Sequence, residues 1–119
     1  MPTAVAERMW ATLIGAAFMT VVVAEAAGRL VASCTLAIVP NLSHGGRSYG
    51  VIENVVTDAG YRKMGLGRRV LAYALDVAWK ADCYKVSLAT GSKQESTLHF
   101  YEGAGFKRGG KTYFEVRRL

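Results

Sequence analysis

Residues 58–69 read Asp58-Ala59-Gly60-Tyr61-Arg62-Lys63-Met64-Gly65-Leu66-Gly67-Arg68-Arg69. The stretch stands between a β-branched run, Tyr49–Thr57, and a strongly amphipathic one, Leu66–Ala81. In the second run Leu66, Val70, Leu71, Ala74, Leu75 and Ala78 recur at helical spacing, so the loop feeds the start of a helix. The first amides of a helix have no partner within it, and the helix dipole adds positive potential there. Such an end binds anions. Gly65 and Gly67 lack a Cβ, so the backbone can press against a phosphate. Arg62, Lys63, Arg68 and Arg69 add cationic side chains within eight residues. A strand, a glycine loop and a helix start in this order mark a focused anion site. The Rossmann pattern fails because Val70 stands where its third glycine belongs. A Walker loop fails because no Gly-Lys-Ser/Thr follows.

Outward from the loop, the spacing predicts a first helix over Thr3–Phe18, capped by Thr3, with Val5, Met9 and Leu13 on one face. Trp10 and Trp79 fall on helical faces and are expected in the core or at an interface. Thr20–Ala26 and Leu30–Val39 read as strands joined by a turn at Ala27-Gly28-Arg29, and Pro40 ends the second. Asn41–Ser48 is a loop. Tyr49–Thr57 is the third strand and Tyr84–Ala89 the fourth. A helix over Ser92–Gly103 follows, ended by Gly105. Phe106 and Thr112–Arg117 predict a last hairpin around Gly109-Gly110. The order is α-β-β-β-α-β-α-β-β. Strands three and four, joined through a helix, should lie parallel, and the hairpin partners antiparallel. The fold class is therefore α+β, with an α/β-like central mixed sheet flanked by helices.

The chain has 119 residues, the length of one domain. Its 51% apolar and 20% charged residues argue against disorder. Lys and Arg number 15 against 9 Asp and Glu, a net charge of +6. The charge gathers at the glycine loop instead of running along a face with aromatics between, so no nucleic-acid partner is expected. The longest uncharged run, Met9–Ala24, is sixteen residues, short of the roughly 20 a membrane span needs. Glu7 and Arg8 before it cancel, unlike a signal peptide. No membrane partner is expected, and the expected compartment is the cytoplasm. Cys34 and Cys83 read as reduced, buried thiols. His44 and His99 have no second ligand at metal spacing, so no metal is expected.

The motif Arg62-x-x-Gly65-x-Gly67 closely resembles the pyrophosphate loop of the GNAT superfamily of N-acetyltransferases. Phe100-Tyr101-Glu102-x-x-Gly105-Phe106 resembles that family's late helix and following strand. Ile52–Thr57 and Tyr84-Lys85 look most like its glucosamine-6-phosphate N-acetyltransferase-like members. The chain departs from those members at Ala89-Thr90-Gly91 and at Thr97, where an asparagine is common. It also has room for one helix before its first strand, where the family has a strand and two helices. The resemblance implies an N-terminally short GNAT-like domain over 1–119, acetyl-CoA as cosubstrate and a primary amine as acceptor. It implies cofactor contacts at Val55, Val56, Thr57, Arg62, Lys63, Met64, Gly65, Leu66, Gly67, Arg68, Thr97 and Phe100.

An alkyl ammonium must lose a proton before it attacks, which calls for a base. Glu53 on the third strand is the candidate, in the alternating set Val51, Glu53, Val55 and Thr57; the other reading is a rim carboxylate paired with an arginine. The leaving thiolate calls for a proton donor. Tyr101 matches the family position that supplies it, and the other reading is a ring packed beside Phe100 and Phe106. The side chains of Val55, Val56 and Thr57 are expected in the core, their backbone facing the pantetheine arm. His44 and Arg47 are candidate acceptor contacts, or members of a solvated loop. The acceptor class stays open: amino sugar, amino acid, polyamine, antibiotic or protein N-terminus. The alternative function is a non-catalytic coenzyme A-binding module. Thr112–Val116 alternates as an apolar edge strand, and relatives of this type are commonly dimers at this end. A homodimer through that segment is expected.

Overall fold

The computed structural model describes residues 2–118. It forms two compact units, one ending at Leu88 and the other beginning at Ala89.

The first unit holds helix α1 (Thr3–Gly15), strands β1 (Met19–Ala26), β2 (Arg29–Val39) and β3 (Tyr49–Thr57), helix α2 (Leu66–Lys80) and strand β4 (Val86–Leu88). The sheet order is β1-β2-β3-β4. β1 and β2 pair antiparallel, as do β2 and β3, while β3 and β4 pair parallel. This is the expected mixed sheet of an α+β fold. The β1–β2 turn uses Ala27 and Gly28, both at positive φ, which matches the twist of the hairpin.

α2 packs across β1, β2 and β3. Its buried residues Val70, Leu71, Ala74 and Ala78 belong to the expected apolar face. The sheet answers with Val22, Cys34, Leu36 and Ile52, all buried and joined by register: Val22 opposes Cys34, and Leu36 opposes Ile52. Gly50 leaves no room on this face. A Cβ there would stand 3.1 Å from Leu36 Cδ1 and 3.2 Å from Val86 Cγ2.

Two expectations fail in this unit, and so does the core half of the reading of the two tryptophans. Thr3 is inside α1 and does not cap it; the preceding residue, Pro2, holds that place. α1 packs against β1 but buries none of its residues, so Trp10 is exposed. Trp79 is exposed as well and belongs to no core. β4 is shorter than expected, although Tyr84 and Lys85 carry its hydrogen bonding on, to Ser48 and Gly50.

The second unit holds helix α3 (Glu95–Gly103). It ends with Gly105 at φ 104°. The Gly105 amide donates to the Glu102 carbonyl, and the Phe106 amide to the Tyr101 carbonyl. This is a Schellman end, and the contact between the Phe106 and Tyr101 rings accompanies it. Arg108 pairs with Glu95 and Glu102 on the exposed side. The expected final hairpin does not form: beyond Phe106 the described residues contain no strand. Gly109 turns the chain, but an isolated two-stranded hairpin is marginal in water.

Both cysteines are buried and free. Burial pushes the Cys34 thiol from 9.0 up to about 11. The folded state therefore holds a proton that the unfolded chain releases first. That stabilisation is fully present below the unfolded value and is lost as pH rises through about 11. Urea midpoints should fall over this window, and Cys34→Ala should flatten the fall. An equal fall in the variant would place its cause elsewhere. Among the described residues, no helix is long and apolar enough to cross a membrane.

Candidate functional site

Two hydrogen bonds root the loop after β3. The Asp58 amide donates to the Val31 carbonyl at 2.8 Å. The Arg62 Nε donates to the Thr57 carbonyl at 3.3 Å. Asp58 also pairs with Arg29, though both are largely exposed and such pairs contribute little. A short 3-10 turn, Ala59–Tyr61, then leads through Lys63 at φ 62° to Gly65 at φ 79°. The left-handed conformation at Gly65 costs a residue with a Cβ, which is why glycine stands there.

Gly65 is the N-cap of α2. It offers no side chain, and no side-chain hydrogen bond caps the helix. The first intrahelical bond of the turn runs from the Arg69 amide to the Gly65 carbonyl. The amides of Leu66, Gly67 and Arg68 lie ahead of it and have no partner within the helix. The first turn holds no acid. Instead it holds Arg68 and Arg69, and cations are disfavoured at this end of the dipole. Arg62, Lys63 and Arg68 are exposed and form no ion pair among the described residues. A bound anion would resolve the uncapped amides and the crowded positive charge together.

β3 prepares the adjoining surface. Its pairing with β4 covers Gly50, Val51 and Ile52 and goes no further. On the other side β3 stays paired with β2 to Thr57. Between Glu53 and Val56 the register slips by one residue: Thr35 opposes Glu53, and Ser33 opposes Val56. Asn54, at φ 55°, takes up the extra residue as a β-bulge. The bulge breaks the alternation expected along this strand. Glu53 shares a face with Val51, opposite the α2 side, whereas Thr57 lies on the α2 side through its partner Ala32. Val56 joins the face of Glu53 and is 58% exposed, so the expectation of a core side chain fails there. Asn54 was not singled out in the sequence. The signal available was its residue type, since asparagine tolerates the left-handed region better than its neighbours do.

Glu53 is exposed and makes no ion pair among the described residues, so the arginine-paired rim reading is not what the structure shows. Val55, Val56 and Thr57 adjoin the loop in the first unit. Met64 and Leu66 flank the N-cap, Met64 being exposed. His44 and Arg47 precede β3, at the end of that strand away from the loop. Nine residues of strand separate them from it, a span of roughly 25 Å. The His44 ring stacks on Tyr84 with centroids 3.9 Å apart, and Arg47 pairs with Asp82 at 3.2 Å. The structure does not bring them to the loop.

Tyr101, Phe100 and Thr97 belong to the second unit, on α3. Tyr101 is half-buried, its ring 5.1 Å from Phe100 and 6.4 Å from Phe106. The Thr97 hydroxyl accepts from Ser92 at 3.1 Å, and the Ser92 hydroxyl also accepts from the Gln94 amide. Thr97 thus helps to shape the entry into α3.

A model of the Acetyltransferase (GNAT) family matches residues 2–106. The chain is 41% identical over 80 residues to a glucosamine 6-phosphate N-acetyltransferase of Trypanosoma brucei brucei, covering 67% of this chain and 52% of that protein. It is 40% identical over 60 residues to a rice (Oryza sativa subsp. japonica) protein described as "Probable glucosamine 6-phosphate N-acetyltransferase 2", covering 50% of this chain and 36% of that protein. The chain spans about half the length of the first of these relatives and less of the second. Among solved structures, an acetyltransferase-type protein of Agrobacterium tumefaciens str. C58 superposes with a TM-score of 0.93 at 41% identity. That match covers 99% of this chain and 81% of the other.

Proposed function

The chain belongs to the GNAT acetyltransferase family, and from that premise we propose that it moves an acetyl group from acetyl-CoA to a primary amine by direct attack. The observation that carries the reading is the uncapped N-terminus of α2. Its free amides and the cations Arg62, Lys63 and Arg68 fit the pyrophosphate of coenzyme A. The edge of β3 released by β4 beyond Ile52 suits the extended pantetheine arm, which can add to a strand edge as another strand does.

The amine reaches the enzyme as an ammonium with a pKa near ~10. Glu53, exposed beside the bulge and in no ion pair among the described residues, takes its proton directly or through water. The neutral amine then forms a bond to the thioester carbonyl carbon, the carbon–sulfur bond breaks, and the nitrogen, cationic after attack, releases its extra proton to solvent to leave a neutral amide. Tyr101 donates its phenolic proton to the departing thiolate, whose conjugate acid has a pKa of about 8.5. The names of the relatives make amino-sugar phosphates the first class of acceptor to try.

The test is a panel of amines assayed for free coenzyme A: glucosamine 6-phosphate, other amino sugars, amino acids, polyamines, aminoglycosides and a peptide with a free N-terminus. The expected result is release well above acceptor-free hydrolysis with one class. Calorimetric binding of acetyl-CoA without release from any amine would make the chain a coenzyme A-binding module. Absence of binding would overturn the site itself.

A further inference from the structure

The peptide unit that joins Thr57 to Asp58 is held at both ends. Its carbonyl accepts from Arg62 Nε at 3.3 Å, and its amide donates to the Val31 carbonyl at 2.8 Å. The first bond sets the Arg62 guanidinium against the same peptide unit that carries Asp58. Between the two residues the 3-10 turn Ala59–Tyr61 folds the chain back, closed by the Tyr61 amide on the Asp58 carbonyl at 2.9 Å. The Asp58 side chain does not cap that turn. A carboxylate and a guanidinium so placed are natural partners. They are not paired with each other. Arg29 Nη2 donates to Asp58 Oδ2 at 3.1 Å, and Arg62 forms no ion pair among the described residues. One stretch of β2 thus holds Asp58 twice, its amide through Val31 and its carboxylate through Arg29. Arg29 is itself fixed at the start of β2, opposite Ala26 across the turn of Ala27 and Gly28. Asp58 is the only acid between Glu53 and Asp76. Of the loop cations, Arg69 lines a groove between β1 and α2, which leaves Arg62, Lys63 and Arg68 for an anion at the end of α2.

We infer that Arg29 is a positioning residue: it holds the Asp58 carboxylate off Arg62, so that the Arg62 guanidinium stays open to the pyrophosphate of acetyl-CoA. The inference rests on the coenzyme reading of the α2 end given above. Without Arg29, the one acid of this stretch turns to Arg62, its neighbour across the Thr57 carbonyl, and an incoming phosphate must displace it. The Arg29–Asp58 pair adds little to folding, since its side chains are 68% and 47% exposed. Its effect lies in which partner Arg62 keeps. An exposed carboxylate competes modestly with a ligand, so the expected change in affinity is several-fold.

Titration calorimetry with acetyl-CoA on the wild type, Arg29→Ala, Asp58→Asn and the double variant tests this. Arg29→Ala should raise Kd roughly three- to tenfold. The ratio of its Kd to that of the wild type should fall as salt is added, because salt screens the new pair between Asp58 and Arg62. Asp58→Asn should bind at least as tightly as the wild type. The double variant should match Asp58→Asn, because with no carboxylate Arg29 has nothing to hold off. A pair that only ties the loop to β2 gives the opposite pattern: Asp58→Asn as weak as Arg29→Ala, and the double variant no better than either. That pattern overturns the inference, and so does an Arg29→Ala protein that binds like the wild type. A wild-type chain that binds no acetyl-CoA overturns the coenzyme reading itself, and the inference with it.

Discussion

Tyr101→Phe is expected to lower kcat by roughly 10²-fold or more while acetyl-CoA affinity stays near its wild-type value. The substitution keeps the ring. The ring contacts with Phe100 and Phe106 survive it, because both involve the ring and not the oxygen. The backbone role survives too, since the Tyr101 carbonyl accepts from the Phe106 amide whatever the side chain carries. The C-terminal turn of α3 should therefore persist. What the variant lacks is the phenolic proton. If that proton reaches the departing thiolate, the loss falls on turnover, because the ground-state complex does not contain the developing sulfur charge. An equal rise in KM with kcat unchanged would assign Tyr101 to binding. Wild-type turnover would leave it only the packing role that its ring contacts describe.

The glycine loop was legible because its evidence is local. A β-branched run, two glycines, four cations and an apolar face at helical spacing lie in sequence order, and α2 begins where that face begins. The parallel pairing of β3 and β4 was legible as well, since a crossover through a helix leaves few alternatives. What escaped was set by neighbours instead. The bulge at Asn54 comes from the pairing of β3 with β2, and one extra residue moves Val56 to the exposed face. A period-two pattern cannot reveal a break in its own register. The alternation of Thr112, Phe114 and Val116 reads as a strand, yet a strand exists only where a partner supplies hydrogen bonds. The apolar positions of α1 read as one face of a helix, and the helix forms, yet it buries none of its residues. Arg69 reads as one of four cations at the loop, while its side chain lines the groove beside β1.

Gly67→Val should weaken acetyl-CoA binding by roughly ten- to hundred-fold with the fold intact. Of the two loop glycines, Gly67 is the more informative to replace. Gly65 sits at φ 79°, so a side chain there strains the backbone whatever the ligand does. Gly67 lies inside α2 and is not among the residues with positive φ. Valine is a better helix former than glycine by a few tenths of a kcal/mol, so the substitution should not melt the helix. Its effect is then confined to what approaches the helix end. The Gly67 amide is one of those with no partner inside the helix, and a branched side chain beside it keeps a phosphate from reaching it. A hydrogen bond to a charged group contributes about 1.5–3 kcal/mol, and each 1.4 kcal/mol is a factor of ten in Kd. Titration calorimetry with acetyl-CoA and with dephosphorylated pantetheine separates the possibilities. The variant should lose affinity for the first and keep whatever affinity the wild type has for the second, which has no pyrophosphate. A folded variant with unchanged acetyl-CoA affinity would remove the N-terminus of α2 from the binding site.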